Sequence, residues 1–520
     1  MGDCGGDKSS GPNFYSISGL ALAQRCMNSL SEDQGGPVTC EYFGLLLESS
    51  RTETFNKTFG TKEREDALDL MCPMLLSCIE RTRVEDVLAS NQMTILQVFT
   101  NSPVRIQEAL LKGLIKLLER QPDACIKHLC QTSVAVCVAI ARLLATNSAS
   151  TKLVHELFVR MASHPNGAEA LMGCQPVVEE LRAQLETDDE NRFRVHDLTV
   201  LLCKVSAECL EWCVQTELLP SLVAELQQQG DVLTQLNCLE LLADLASSKS
   251  YATDYLHNSG LIPKLYSLLE YVQQAPDGGF LFPAMIRFFG YLGRAYPDEC
   301  CNRYPKFMEA IFQLALNYQY LDVPQRLLAF DTLAVIGSTP AGKTVLASKG
   351  SLMDRAMSCL GAAIDDGPLE IRVRHMEALD HLLALPLDQQ TTGLLQVTEK
   401  WYHKLRERDV TAHLFGLFKK PIKELRSSVG SILKAVASQP WAQKLLAQQP
   451  GFLEYLLNRG TESDMDGRYI KFEIVCTLSD SPTVSQAFEA TDVLRLKQYK
   501  HEGAFYVKAE TEIAMEGGDA

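Results

Sequence analysis

A chain of 520 residues with 46% hydrophobic and 22% charged content can bury a large core, which excludes the disordered class. The formal net charge of -16, with no block of Lys or Arg, argues against a nucleic-acid partner and favours a partner with a basic surface. No apolar run reaches the roughly 18 residues that span a bilayer, so a soluble protein without a membrane partner is expected.

The chain starts "MGDCGGDKSSGPN", with no basic segment leading into an apolar one. No secretion signal is read there, and the seventeen cysteines are expected as reduced thiols. Gly6 stands where a myristoylation signal needs Ser or Thr. Residues 1–18 read as a flexible N-terminus, 19–60 as an irregular or degenerate first repeat, 61–505 as a repeat array, and 506–520 as a short acidic tail.

From about residue 60 short amphipathic helices alternate with polar turns, and no period-2 stretch is long enough to force a sheet. The string "LLPSLVAEL" at 218 returns as "LIPKLYSLL" at 261, within the period range of armadillo and HEAT repeats. One apolar anchor can be followed through the copies: Leu88, Leu129, Leu171, Cys213, Leu256, Cys301, Leu346, Leu395, Leu446 and Phe488. Each unit reads as a short helix holding the anchor, a second helix, and a longer third helix such as "VLTQLNCLELLADLAS". No such unit buries its apolar stripe alone, so stacked neighbours must complete the core. The predicted fold is all-α, a right-handed armadillo/HEAT-like superhelical solenoid of about ten to eleven repeats with the third helices on its concave face.

Many cysteines fall on apolar faces, as in "VAVCVAIARLL", where Cys acts as a small hydrophobe. No C-x-x-C or H-E-x-x-H occurs, so no metal site is predicted. Cys300 and Cys301 are expected to point one inward and one outward. Asp188, Asp189 and Glu190 read as a solvated turn rather than acid–base machinery, and no G-x-S-x-G elbow is present.

The segment "GSTPAGKT", Gly337 to Thr344, fits the phosphate-binding pattern G-x-x-x-x-G-K-[ST] at every fixed position. That pattern works only between a parallel strand and a helix. Here Leu346 shares its register with Leu446 of "QPWAQKLLA" and Leu171 of "HPNGAEALM", with Pro340, Pro440 and Pro165 each six residues before the anchor. The segment therefore reads as a joint: "LLAFDTLAVIGS" ends a third helix at Gly337, and Pro340 opens the next short helix behind a polar cap. What remains is at most a weak anion site at the helix N-terminus near Gly342. No enzyme activity and no cofactor are predicted.

The third helices of a solenoid supply its usual partner surface. Register places Glu240 with Asp244, Arg287 with Tyr291, and Asp331 with Val335 on that face, with Lys204 and Asp380 on equivalent turns. These positions lack the Trp/Asn ladder of import adaptors, and Trp212, Trp401 and Trp441 lie elsewhere. A mixed-charge, mostly acidic groove that reads a folded partner by ion pairs and hydrogen bonds is expected.

Three strings, "FLFPAMIRFFGYLGRAYPDECCNRYPKFMEAIFQL" (280–314), "ASQPWAQKLLAQQPGFLEYLLNR" (437–459) and "LRLKQYKHEGAFYVK" (494–508), resemble the proteasome non-ATPase regulatory subunit 5 family. The resemblance is strongest over about 275–320 and 430–508, holds in register from about 60, and is poor in the first 60 residues. It implies a cytosolic non-enzyme, with the nucleus as a second location and a monomer when free. It further implies a chaperone for assembly of the base of the proteasome regulatory particle. Such a protein grips the C-terminal helical domain of the AAA ATPase regulatory subunit 7, joins a second base ATPase and the large non-ATPase scaffold subunit, and leaves before the mature particle forms. A general armadillo-repeat scaffold or adaptor would share the repeat features but not those strings.

Overall fold

The computed structural model describes residues 37–59, 64–146, 148–227, 231–272, 278–462 and 464–506. Among the described residues every regular element is a helix and no strand occurs, so the expected all-α class holds. The predicted flexible segment 1–18 and residues 507–520 of the predicted acidic tail 506–520 lie outside the described residues. Of the expected degenerate repeat, Pro37–Ser49 and Thr52–Thr58 are helical. Phe43 and Leu47 are fully buried where the first of these packs on Arg64–Arg81 and Gln92–Asn101.

The chain divides into two compact units, Met1–Tyr255 and Leu256–Ala520. Long helices carry the packing of each. The first unit has α1 (Arg64–Arg81), α2 (Val104–Arg120), α3 (Thr151–Ser163), α4 (Asp189–Cys203) and α5 (Val232–Ser247). The second has α6 (Phe282–Ala295), α7 (Val323–Gly337), α8 (Leu369–Leu383), α9 (Lys423–Ala437) and α10 (Met465–Asp480). Within each unit these helices pack in series, each on the next. Acidic N-caps start several of them: Asp188 accepts from Asn191 N at 3.0 Å, Asp322 from Gln325 N at 3.0 Å, and Asp464 from Gly467 N at 2.7 Å.

Ion pairs give the relative direction of neighbouring helices. Near the start of α2, Arg105 meets Glu65 at the start of α1 at 2.9 Å, and Lys116 further along meets Glu80. Lys423 and Asp466 open α9 and α10 and pair at 2.7 Å, while Lys434 and Glu473 pair beyond them at 2.9 Å. Neighbours therefore run parallel, with the shorter helices returning the chain between them. This is the packing of a helical repeat, and it identifies α1–α10 with the predicted third helices.

The anchors Leu88, Leu129, Leu171, Cys213, Leu256, Cys301, Leu346, Leu446 and Phe488 are all buried. Leu395 is only half-buried, and Leu394 takes its place in the core. The helix there, Thr392–Lys404, is capped by Thr391 and buries Leu394, Thr398, Trp401 and Tyr402, a stripe counted from its own start. Cys300 and Cys301 also depart from expectation, because both are buried. Their helix, Pro297–Arg303, is covered by α6, by Pro305–Leu316 and by Pro340–Ser348, so adjacent positions both meet protein.

The phosphate-loop look-alike is a joint between α7 and the helix Pro340–Ser348. Thr339 caps the second helix, its Oγ1 accepting from Gly342 N at 3.1 Å. Gly337 is the last residue of α7 and not a left-handed stop; a methyl group on it would come within 2.6 Å of Leu382 on α8. Lys343 is fully buried and donates to the Gly337 and His381 carbonyls, the latter at 3.1 Å. An amine so placed cannot reach a phosphate.

Candidate partner-binding surface

In the first unit, Lys204 caps the C-terminal end of α4 and reaches Asp244 of α5 at 2.7 Å. Glu240 lies one turn earlier on α5, half-buried. Neighbouring third helices thus present charges of both signs on one face, partly neutralising each other. An exposed pair of this kind contributes about 0–1 kcal/mol to stability, so it costs little to exchange for a partner's charge.

In the second unit, α6, α7 and α8 form a cleft of about 440 Å³. Arg287 and Tyr291 come from α6, Asp331 and Val335 from α7, and Arg374, Glu377 and His381 from α8. The floor is apolar, with Leu327, Leu328 and Ala378. Close approach of α6 and α7 depends on Gly290, where an added methyl would stand 2.8 Å from the Thr332 side chain. Arg374 holds Asp331 at 2.8 Å and Glu377 at 3.1 Å. Burial pushes the Asp331 carboxyl up from its ordinary range while Arg374 pulls it down, and the guanidinium itself is raised by Asp331. The two upward shifts act in opposite senses, that of Arg374 favouring its charged form and that of Asp331 opposing its own.

The cleft therefore gathers Arg287, Tyr291, Asp331 and Val335 of the residues expected from sequence. Lys204, Glu240 and Asp244 stand together on the other unit's third helices. Asp380 does not line the cleft. It is half-buried, and its carboxyl is pushed up by burial and by Glu377 while His381, Lys434 and Lys343 pull it down. The cause is helical register. Val323 and Leu369 start α7 and α8 46 positions apart, which maps Asp331 onto Glu377 and Val335 onto His381. Asp380, one position short of His381, is turned about 100° away around the helix. Arg374, Glu377 and His381 were missed, although counting from the helix cap instead of the anchor would have found the last two.

The chain matches the sequence family described as proteasome non-ATPase 26S subunit over residues 44–519. It is 33% identical over 354 residues to the human protein named 26S proteasome non-ATPase regulatory subunit 5, covering 68% of this chain and 69% of that one. The chain belongs to the proteasome non-ATPase regulatory subunit 5 family. The Drosophila melanogaster member bearing that name is 24% identical over 455 residues, 87% of this chain and 86% of its own. Among solved structures, an engineered protein aligns with a TM-score of 0.43 at 17% identity, over 79% of this chain and 98% of that one. The family match spans α1–α10 and every residue of the two charged faces.

Proposed function

We propose that this family member is an assembly chaperone for the base of the proteasome regulatory particle. It holds free AAA ATPase subunits, regulatory subunit 7 first and then a second base ATPase with the large scaffold subunit, and leaves before the mature particle forms. The observation that carries the reading is the family match across nearly the whole chain. The geometry supports it: serial parallel third helices in each unit offer mixed-charge faces suited to a folded partner, and Lys343, the lysine of the nucleotide-site pattern, is sealed inside a joint. The protein acts by binding alone, with no cofactor or metal, and works in the cytosol and nucleus. Ten to eleven repeats wound as a right-handed superhelix belong to the same proposal, supported by the series α1–α5 and α6–α10.

The test is a binding comparison. The purified chain is mixed with the isolated C-terminal helical domain of regulatory subunit 7 and, separately, with mature proteasome. Expected is a stable one-to-one complex with the free domain and none with the mature particle. Stoichiometric association with mature proteasome and no complex with the free domain would overturn the chaperone reading and leave the general scaffold.

A further inference from the structure

The helices that precede α7 and α8 in their repeats, Pro305–Leu316 and Ser351–Ala363, pack on one another and leave a groove of about 420 Å³. One wall is Pro305, Met308, Phe312 and Leu316, at i, i+3, i+7 and i+11, a single apolar stripe along the whole helix. Met308 and Phe312 form the buried floor, while Pro305 is exposed and Leu316 half-buried. Across the groove stands Leu352, 42% exposed in the first turn of its helix. At 1.5 Å per residue the stripe runs about 16 Å, the length of a three-turn helix.

Two cations edge the groove, Lys349 and Arg355, and among the described residues neither makes an ion pair. Lys349 donates to the Cys301 carbonyl at 3.3 Å and to the Asn302 side-chain oxygen at 3.4 Å. Asp354, next to Arg355 in sequence, instead pairs with Lys400 at 2.8 Å and Lys404 at 3.8 Å. Glu309, the carboxylate in the lining, is held by Lys306 at 3.4 Å. In a chain of net charge -16, this rim therefore carries positive charge without a counter-charge of its own.

We propose that this groove docks an amphipathic helix of a partner protein, about three turns long, whose apolar stripe fills the trough and whose Glu or Asp side chains pair with Lys349 and Arg355. An apolar stripe of helical spacing is the imprint of a helix laid in a groove. The unneutralised cations supply the sign, since a carboxylate on Arg355 makes charge-assisted, bidentate hydrogen bonds. A lipid surface fits poorly because the apolar side chains line a recess, and two cations are few for a nucleic-acid backbone. The groove lies on helices other than α6–α8, so it takes its partner independently of the charged cleft and does not depend on the chaperone function.

The probe is a fluorescein-labelled, alanine-based helical peptide with Leu in an i, i+3, i+7, i+10 stripe flanked by Glu, set against the same peptide with Lys in place of Glu. Fluorescence anisotropy is followed as the full-length protein is added. Expected is saturable binding of the Glu peptide, at least about tenfold tighter than that of the Lys peptide. Leu352→Asp should weaken it about tenfold, whereas Leu494→Asp, at an exposed leucine outside the groove, should leave it unchanged. Arg355→Glu should reverse the preference between the two peptides, and thermal melts check that each of these surface variants is folded. Binding that is absent, equal in Leu352→Asp and Leu494→Asp, or indifferent to Arg355→Glu would overturn the proposal, as would binding of phosphatidylserine vesicles in place of the peptide.

Discussion

Lys343 is fully buried, and both of its hydrogen bonds run to the last turns of neighbouring third helices, α7 at Gly337 and α8 at His381. Those carbonyls have no partner within their own helices, so an N–H donor there answers a need that every helix end has. A neutral amine has two N–H groups, one for each carbonyl. Burial lowers the Lys343 pKa to about 7, against an opposing pull from Asp380. Gln443 occupies the same register one hundred positions on and does the same work without charge, donating to Ala437 O at 2.9 Å and to Ser481 Oγ at 2.7 Å. The linkage has a definite sign. Between pH 7 and the ordinary lysine value of 10.5 the unfolded chain holds a proton that the folded chain has released, so raising the pH favours folding over that window. Below pH 7 both states are protonated and the full burial cost remains. Lys343→Met keeps the apolar stem and removes the titration. The unfolding free energy of the wild type relative to this variant should rise by about 1.4 kcal/mol per pH unit between pH 7.5 and 9, measured by urea unfolding of both proteins. Parallel pH profiles would mean that the amine stays charged.

At the scale of the helix, the joints between repeats explain why a nucleotide motif can arise by coincidence. Gly342 lies two residues after Pro340, and a methyl group on it would stand 1.8 Å from the carbonyl oxygen of Ile336 in the last turn of α7. Gly167, two residues after Pro165, has the same relation to Met161 O, also 1.8 Å. A backbone carbonyl cannot move aside as a side chain can. Gly342→Ala should therefore destabilise the second unit by about 2–4 kcal/mol, seen as a lowered thermal midpoint. Gly416→Ala on the helix Val410–Phe418, where no atom lies within 4 Å, should be neutral or stabilising by up to about 1 kcal/mol. Equal effects of the two changes would place the strain elsewhere. The same geometry accounts for what could be read from sequence. Burial is periodic, so nine of the ten anchors were legible from apolar spacing. Leu395 was not, because its helix starts at its own cap and ends a repeat of different length. Asp380 was misplaced for a related reason: side-chain direction turns 100° per residue, so one position of drift leaves burial roughly right and the facing wrong. The closeness of Arg374 to Asp331 depends on three-dimensional neighbours and left no mark in the spacing.

For the whole chain, a net charge of -16 sets the sign of the far field, whereas the third-helix faces carry both signs in contact. Long-range attraction would then gather a basic partner, and the local pairs would decide its register. The family was legible from a few long strings that also have structural work: in "FFGYLG" Gly290 admits Thr332, and Gly293 sits beside Ile336 on α7. The partner face was legible only in outline, since composition fixes the sign of charge but not which pairs are already satisfied within the chain. Asp331 is the position where these effects separate. Asp331→Lys removes the carboxylate, leaves Arg374 beside a like charge and reverses one corner of the cleft. If the cleft meets the ATPase domain through charge, the variant should bind about tenfold more weakly at 50 mM salt and within about twofold of wild type at 500 mM, as the screening length falls from more than 10 Å to a few Å. Tyr291→Ala changes the same cleft without changing charge, so its loss of affinity should be equal at both salt concentrations. Titration calorimetry of both variants at the two ionic strengths, with thermal melts to confirm folding, provides the measurement. A defect in Asp331→Lys that ignores salt would assign its effect to a disrupted cleft and move the charged contact to Glu240 and Asp244 on the first unit.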